Sequence, residues 1–265
     1  MVREGIPMRD LILDALLANG HQNYLSGEAL SRSLGVSRAA VSKHVMALRM
    51  EGHIIESVPR CGYRLISRAD PWAGSHIREG LYTAILGQKK WLWLKETGST
   101  NQVAVLEALN GAEEGTVVVA RRQSEGRGSK GHRWVDLPGS LLFSVLARPN
   151  ITPETLHALP MITVEAIARA VKNTCGIELE QRLPNDLFLN NKKIAGVLVE
   201  TLFRNTDLWW AVIGIGINAN VPSEAIPPEL SGIASSLYAE TGTAFSVTSL
   251  LKHILEELEP ALYTA

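Results

Sequence analysis

Cysteine is almost missing from this chain of 265 residues, which holds only Cys61 and Cys175. Two thiols cannot build a disulfide framework or a metal site of the usual ligand count, so a reduced, cytoplasmic protein is expected. No run of eighteen apolar residues occurs, and the first residues lack the basic-then-apolar order of a signal peptide. Both point away from membranes and export. Internal repeats are absent too, and the formal net charge is only -1. A near-neutral chain is not a generally adhesive polycation. With 46% hydrophobic residues it has enough apolar content to fold throughout.

The charge that is present is unevenly spread. Between residues 37 and 68, Arg38, Lys43, Arg49, Arg60, Arg64 and Arg68 face only Glu51 and Glu56. This local excess predicts contact with a polyanion. Three short helices are expected in the first seventy residues. The first runs from about Met8 to Asn19 with Met8, Leu11, Ile12, Ala15 and Leu16 on one face; Ser26 caps the second, which ends at Gly35; Ser37 caps the third, which ends at Gly52. On the third helix Val41, Val45 and Leu48 form the inward stripe, so Ala39, Ser42 and Lys43 point outward, with Arg38 on the first turn. Slim outward residues beside cations suit a helix in the DNA major groove. "HIIESV" and "GYRLI" then read as a hairpin, or wing, placing Arg60 and Arg64 to meet phosphates. A protein-docking module is the alternative at this point.

The remaining two hundred residues contain four strand-like runs, "GTVVVARRQ", "GSLLFSVLAR", "AGVLVETLF" and "WWAVIGIGIN". A helix is expected from about Thr155 to Thr174, with Met161, Val164, Ala168 and Val171 inward. Without regular alternation of strand and helix, a mixed sheet with packed helices is favoured over a doubly wound parallel one.

Residues 125 to 134, "EGRGSKGHRW", match the dinucleotide fingerprint as Gly126-x-Gly128-x-x-Gly131. That fingerprint needs a helix directly after its glycines. Here "HRWVDLPGSLLFSVLAR" follows, in which Pro138 and Gly139 break the chain and a strand begins, so the match is accidental. What remains is a glycine loop carrying Arg127, Lys130 and Arg133, able to wrap a phosphate or to lie as a solvated surface loop. In "RLPNDLFLNNKKIAGVLVE", Pro184 should hold the chain extended at a strand end, presenting Asn185 and Asp186, and Asn190 and Asn191 should turn a hairpin. Asn185 and Asp186 suit a hard divalent cation, and Lys193, beside the small Ala195 and Gly196, suits an anionic reacting group. An ordinary hairpin is the alternative. In "ETGSTNQ", Ser99 and Thr100 precede a helical stretch and could be simple caps; the glycines of "GIGINAN" allow close backbone contact or merely bend a strand.

Taken together and in order, "SGEALSRSLGVSRAAVSKHVMALR", "VPRCGYRL", "TGSTNQ", "GRGSKGHRW", "PNDLFLNNKKIAGVLVE" and "GIGINAN" resemble the bifunctional biotin protein ligase and biotin operon repressor family. The resemblance implies an α+β protein: a winged helix-turn-helix over residues 1–67, a linker over 68–80, and a mixed-sheet ligase domain of the biotin/lipoate type over 81–265. The small C-terminal β-barrel usual in the family is expected to be missing. The implied activity is ATP- and Mg2+-dependent formation of biotinoyl-adenylate, then biotinyl transfer to a lysine of a biotin carboxyl carrier domain. A ligand-promoted homodimer would repress biotin genes at an operator. Carried over by position, Ser99, Thr100, Asn101, Gln123, Gly126, Arg127, Gly128, Ser129, Lys193, Gly196 and Gly214 would hold biotin. Arg127, Lys130, Gly131, Trp134, Asn185, Lys193 and Asn218 would hold the adenylate. Lys193, Arg127 and Asp186 would be catalytic, Asn185 and Asp186 would meet the metal, and Ser37, Arg38, Ala39, Ser42, Lys43, Arg60 and Arg64 would meet DNA. Ser129 stands where the family often has arginine, and Leu183 where it usually has tryptophan. A biotin-sensing repressor with little turnover and a lipoate or octanoate ligase-type acyltransferase are the alternatives.

Overall fold

The computed structural model describes residues 8–20, 23–50, 53–67, 77–78, 80–149, 151, 153–204 and 207–263. Most of the expected linker therefore lies outside the described residues. Helices α1 (Met8–Ala18), α2 (Gly27–Leu34) and α3 (Arg38–Met50) pack against the hairpin β1 (Ile54–Val58) and β2 (Gly62–Ser67). Ser26 Oγ accepts from Ala29 N at 3.0 Å, Gly35 ends α2 in the left-handed region, and Ser37 Oγ accepts from Ala40 N at 3.1 Å. Side-chain oxygens thus satisfy backbone donors that a helix start leaves open. Val41, Val45 and Leu48 are buried with Ile12, Leu13, Leu16, Leu30, Ile55 and Leu65. Leu13 takes the buried place expected of Leu11. Leu25 and Tyr63 exchange backbone hydrogen bonds of 2.8 and 2.9 Å, tying the wing to the α1–α2 connection.

A seven-stranded sheet forms the second unit, in the order β3-β4-β5-β9-β8-β7-β6. Its strands are β3 (Trp91–Leu94), β4 (Val117–Ala120), β5 (Leu141–Ala147), β6 (Glu180–Arg182), β7 (Asp186–Leu189), β8 (Lys192–Arg204) and β9 (Asp207–Ile217). Only β3 and β4 pair in parallel, so the sheet is mixed, as expected. Helices α5 (Leu159–Cys175) and α7 (Val247–Tyr263) cover one face, packing with Phe143, Val145, Ile213 and Ile215. Helix α4 (Thr100–Leu109) packs with Val118, Leu146, Trp210 and Val212. With both faces covered, the central strands read as continuous apolar runs rather than alternating ones. A short helix α6 (Leu237–Thr241) closes the end of β9, where Leu237 N donates to Asn218 O.

Three expectations are corrected. Met161 is 37% exposed, because α5 buries Thr163, Val164, Ile167, Ala170 and Val171. At 100° per residue Met161 lies about 120° from Ile167, outside the stripe. That helix also starts at Leu159, after a 3-10 turn over Pro153–Ala158, rather than at Thr155. Pro184 does not extend a strand: it follows a cis peptide bond in the tight turn between β6 and β7. Asn190 and Asn191, with φ of 50° and 64°, make the expected hairpin turn.

Phe143 lies on a central strand and is fully buried. Phe143→Ala should cost about 3–5 kcal/mol of stability of the sheet unit in urea unfolding; a loss well under 1 kcal/mol would show that the sheet–helix interface is not the core.

Candidate active site

The site forms where the end of β4 and the start of α4 run side by side. Ser124 N and Glu125 N donate to Thr97 O and Gly98 O, at 2.9 and 2.8 Å. Gln123 Oε1 accepts from Thr100 N at 2.7 Å and Thr100 Oγ1 at 3.0 Å, so a glutamine from another segment caps α4. Ser99, the residue in the cap position, makes no capping bond. Capping therefore does not account for Ser99. Ser144 Oγ lies 2.7 Å from Thr100 Oγ1 and 2.6 Å from Asn101 Oδ1, and Asn101 Nδ2 donates to Glu200 Oε2 at 2.7 Å. Ser99, Thr100, Asn101 and Gln123 are all buried. Buried polar groups persist when their partners are supplied, and here they come from four separate segments.

The glycine loop closes over this corner. Gly128 N donates to His132 O at 2.7 Å and Trp134 N to Gly126 O at 2.9 Å, around a 3-10 turn at Ser129–Gly131. No helix follows, which agrees with rejecting the dinucleotide reading. A Cβ on Gly126 would stand 2.7 Å from Trp134 O, and Gly131 has a φ of 77°, so both positions need glycine. At the loop's base Arg122 Nε donates to Asp136 Oδ2, which also accepts from Gln123 N at 3.3 Å. Across the cleft, Asn185 Nδ2 donates to Ser129 Oγ at 2.8 Å. Ser129, the departure from the family pattern, thus joins the loop to the β6–β7 turn. The side chain of Lys130 lies outside the described residues.

Lys193 Nζ sits 2.6 Å from Asp186 Oδ1 and 5.7 Å from the centroid of the Trp134 ring. Trp134 lies across a floor without side chains: a Cβ on Gly196 or Gly216 would stand 2.9 or 2.8 Å from its indole. These two glycines face each other in the β8–β9 ladder. A cavity of about 40 Å³ is lined by Ser99, Thr100, Asn101, Gln123, Arg127 and Lys193, along with Gly128, Ser129, Trp134, Asn185, Gly196 and Gly214. Arg127 and Lys193, far apart in sequence, therefore share one cavity. Across Trp134 and Lys193 a second space of about 140 Å³ is lined by Leu137, Asn218, Leu230 and Ile233. Asn218 stands there, with its amide accepting from Ser140 Oγ at 3.1 Å and donating to Ser235 O at 2.9 Å. Gly126 and Gly131 shape the loop and Asp186 acts on Lys193; none of the three lines the cavity. Among the described residues no group of three or more His, Cys, Asp or Glu could hold a metal.

Sequence reasoning missed Ser144 and Glu200. Each had a signal: Ser144 is the lone polar residue of its apolar strand, and Glu200 is a charge that ends the apolar run of residues 194–199. On the winged helix Ser37, Arg38, Ala39, Ser42 and Lys43 are exposed along α3, and Arg60 is exposed at the wing tip with a φ of 67°. Arg64 is placed differently: it bonds Glu56 Oε2 at 3.0 and 2.5 Å and lies 4.7 Å over the Tyr24 ring. Hydrogen bonds from Tyr24 and Arg64 hold the Glu56 carboxyl below its ordinary range, while the same bond pushes the Tyr24 phenol up.

A winged helix joined to a mixed-sheet domain with a cationic, glycine-floored pocket defines the class, a ligase-type domain with a DNA-binding module. The sequence matches the Biotin/lipoate A/B protein ligase family over residues 93–218 and an HTH domain over residues 11–64. It is 36% identical over 248 residues to the bifunctional ligase/repressor BirA of Bacillus subtilis, covering 93% of this chain and 75% of that protein. Against BirA of Escherichia coli the identity is 34% over 212 residues, covering 78% and 63%. The Aquifex aeolicus biotin protein ligase in complex with biotin and ATP superposes with a TM-score of 0.55 at 31% identity, over 66% of this chain and 70% of that one. The chain belongs to the bifunctional biotin ligase/repressor family.

A side chain on Gly214 would overlap the Asn101 amide. Gly214→Ala should therefore lower stability by about 1–3 kcal/mol, as overpacking does, read as a fall in melting temperature; an unchanged midpoint would mean the contact is loose.

Proposed function

We propose that this protein is an ATP-dependent biotin protein ligase that also represses biotin synthesis genes, with a winged helix over 1–67, a linker over 68–80 and a ligase domain over 81–265. The observation that carries the reading is the sharing of one cavity by Arg127, Lys193 and the buried cluster Ser99, Thr100, Asn101 and Gln123. Both substrates are anions, so their approach needs fixed cations. In the first step a biotin carboxylate oxygen bonds to the α-phosphorus of ATP and the bond to pyrophosphate breaks. In the second, a carrier lysine amine bonds to the acyl carbon, loses a proton, and AMP leaves.

The buried polar cluster is the seat for biotin's ring, with the glycine floor of Gly196 and Gly214 beneath. Lys193 stabilises the charge that develops between carboxylate and phosphate, and Arg127 holds the phosphate with a guanidinium fork. Asp186 positions Lys193 and faces the incoming amine. The adenosine end extends past Trp134 toward Asn218, and the loop from Gly126 to Gly131, with Lys130, covers the mixed anhydride against water. Magnesium fits as a companion of the ATP phosphates: Asp186 keeps one carboxylate oxygen beyond its Lys193 contact and Asn185 keeps its amide oxygen, the small protein ligand set that this ion accepts. Bound there, it would supply charge neutralisation for departing pyrophosphate.

DNA recognition is assigned to α3 through Ser37, Arg38, Ala39, Ser42 and Lys43, with Arg60 on the backbone. Arg64 braces the wing through Glu56 and Tyr24 rather than meeting phosphate first. Ligand-promoted dimerisation would present two such modules to an operator. A reduced cytoplasmic setting fits the two cysteines, both free, with burial pushing the Cys175 thiol up to about 11. No helix among the described residues is long and apolar enough to cross a membrane.

Carrier-domain biotinylation with biotin, ATP and magnesium tests the reading. Lys193→Ala should slow adenylate formation by about 10²–10³-fold with the fold intact; an unchanged rate removes Lys193 from the mechanism. On operator DNA, Arg60→Ala should weaken binding to all sequences alike and reduce the log–log salt slope by about 0.9. Sequence-dependent weakening at constant slope would instead make Arg60 a base reader.

A further inference from the structure

The side-chain amide of Asn101 has two ends that differ chemically but hardly in shape. Its direction must therefore be fixed by its neighbours. On one side stands Ser144 Oγ, 2.6 Å from Oδ1; on the other stand Glu200 Oε2, 2.7 Å from Nδ2, and the Leu198 carbonyl oxygen at 3.3 Å. Ser144 cannot decide the direction, because a hydroxyl donates to an oxygen or accepts from an N–H equally well. Glu200 can. A carboxylate only accepts, so turning the amide over would press two acceptor oxygens together at hydrogen-bond distance.

The site's polarity follows. With the NH₂ end held at Glu200, the amide oxygen stays beside Ser144 and Gly214, and Gly214 and Asn101 both line the cavity. Ser144 Oγ has a single proton, which must serve Asn101 Oδ1 because an amide oxygen cannot donate. That leaves Asn101 Oδ1 one further lone pair for a ligand N–H.

We propose that Glu200, outside the cavity lining, is a positioning residue that sets ligand specificity by locking the Asn101 amide with its oxygen toward the pocket, so that the site demands a ligand donating N–H. The ureido group of biotin meets that demand, and an acyl chain ending in an apolar or sulfur ring does not. This deepens the ligase reading and rests on it. Glu200→Gln keeps the shape but supplies a terminus that can donate, so the charge-assisted part of the lock is lost and the longer contact to the Leu198 carbonyl oxygen is left to favour this direction.

Titration calorimetry with biotin on the wild-type protein, E200Q, N101A and the double variant tests this. E200Q should bind about tenfold more weakly, the equivalent of one charge-assisted hydrogen bond's advantage. Turnover at saturating biotin and the melting temperature should stay close to wild type. In the N101A background, E200Q should add nothing, since Glu200 acts through Asn101. Equal weakening with and without the Asn101 side chain, or unchanged affinity in E200Q, overturns the proposal. Failure of the wild-type protein to take up biotin would instead sink the ligase reading. The lock can then still be read without ligand: the Asn101 side-chain amide resonance, identified by its loss in N101A, should exchange with solvent faster in E200Q. Unaltered exchange contradicts the lock.

Discussion

Everything in the site depends on the close approach of other groups to a strip of sheet that carries no side chains. Gly196 and Gly216 face each other across β8 and β9, and Gly214 lies two residues along on the same face. An alanine at any of the three would bring its Cβ within 3 Å of the Trp134 indole or the Asn101 amide. Because the floor is bare, Trp134 can lie flat against it and α4 can bring Asn101 down onto the strands. The glycines cost conformational entropy when the sheet forms. That cost is met by the two-sided burial of the neighbouring strands rather than by the site itself.

Around this floor the charges are arranged in opposition. Lys193 is held by Asp186 on one side and faces the Trp134 ring on the other, so its ammonium is confined before any ligand arrives. Arg127 comes from a loop whose base is fixed by Arg122 and Asp136 and whose tip is tied to Asn185 through Ser129. One cation is thus set by the sheet and the other by a loop. The division suits a reaction in which a reactive intermediate must be sheltered and later exposed to a protein amine.

The sequence was readable where structure is set by near neighbours. The Ser26 and Ser37 caps, the Asn190–Asn191 turn and the Val41, Val45, Leu48 stripe needed only local chemistry and periodicity. The glycine loop's distance from a dinucleotide turn was equally plain, because Pro138 and Gly139 follow it. Edge strands β3 and β6, of four and three residues, were too short for a periodic signal. Met161 misled because α5 turns its stripe to suit both the sheet and α7. Ser144 and Glu200 could be seen as interruptions but not assigned, since their partners arrive by the long-range order of β5, β9 and β8. The partner of Arg64 was legible as well: the hairpin register sets it opposite Glu56, and opposite charges directly across a ladder pair with each other.

The central claim is that a carboxyl group and an α-phosphate meet above the glycine floor between two cations drawn from separate segments. A crystal structure of the protein with a non-hydrolysable analogue of biotinoyl-adenylate tests it most directly. The account predicts the acyl–phosphate linkage within hydrogen-bonding distance of both Lys193 Nζ and the Arg127 guanidinium, with the ring end among Thr100, Asn101 and Gln123. A linkage bound elsewhere, or touched by neither cation, would contradict it.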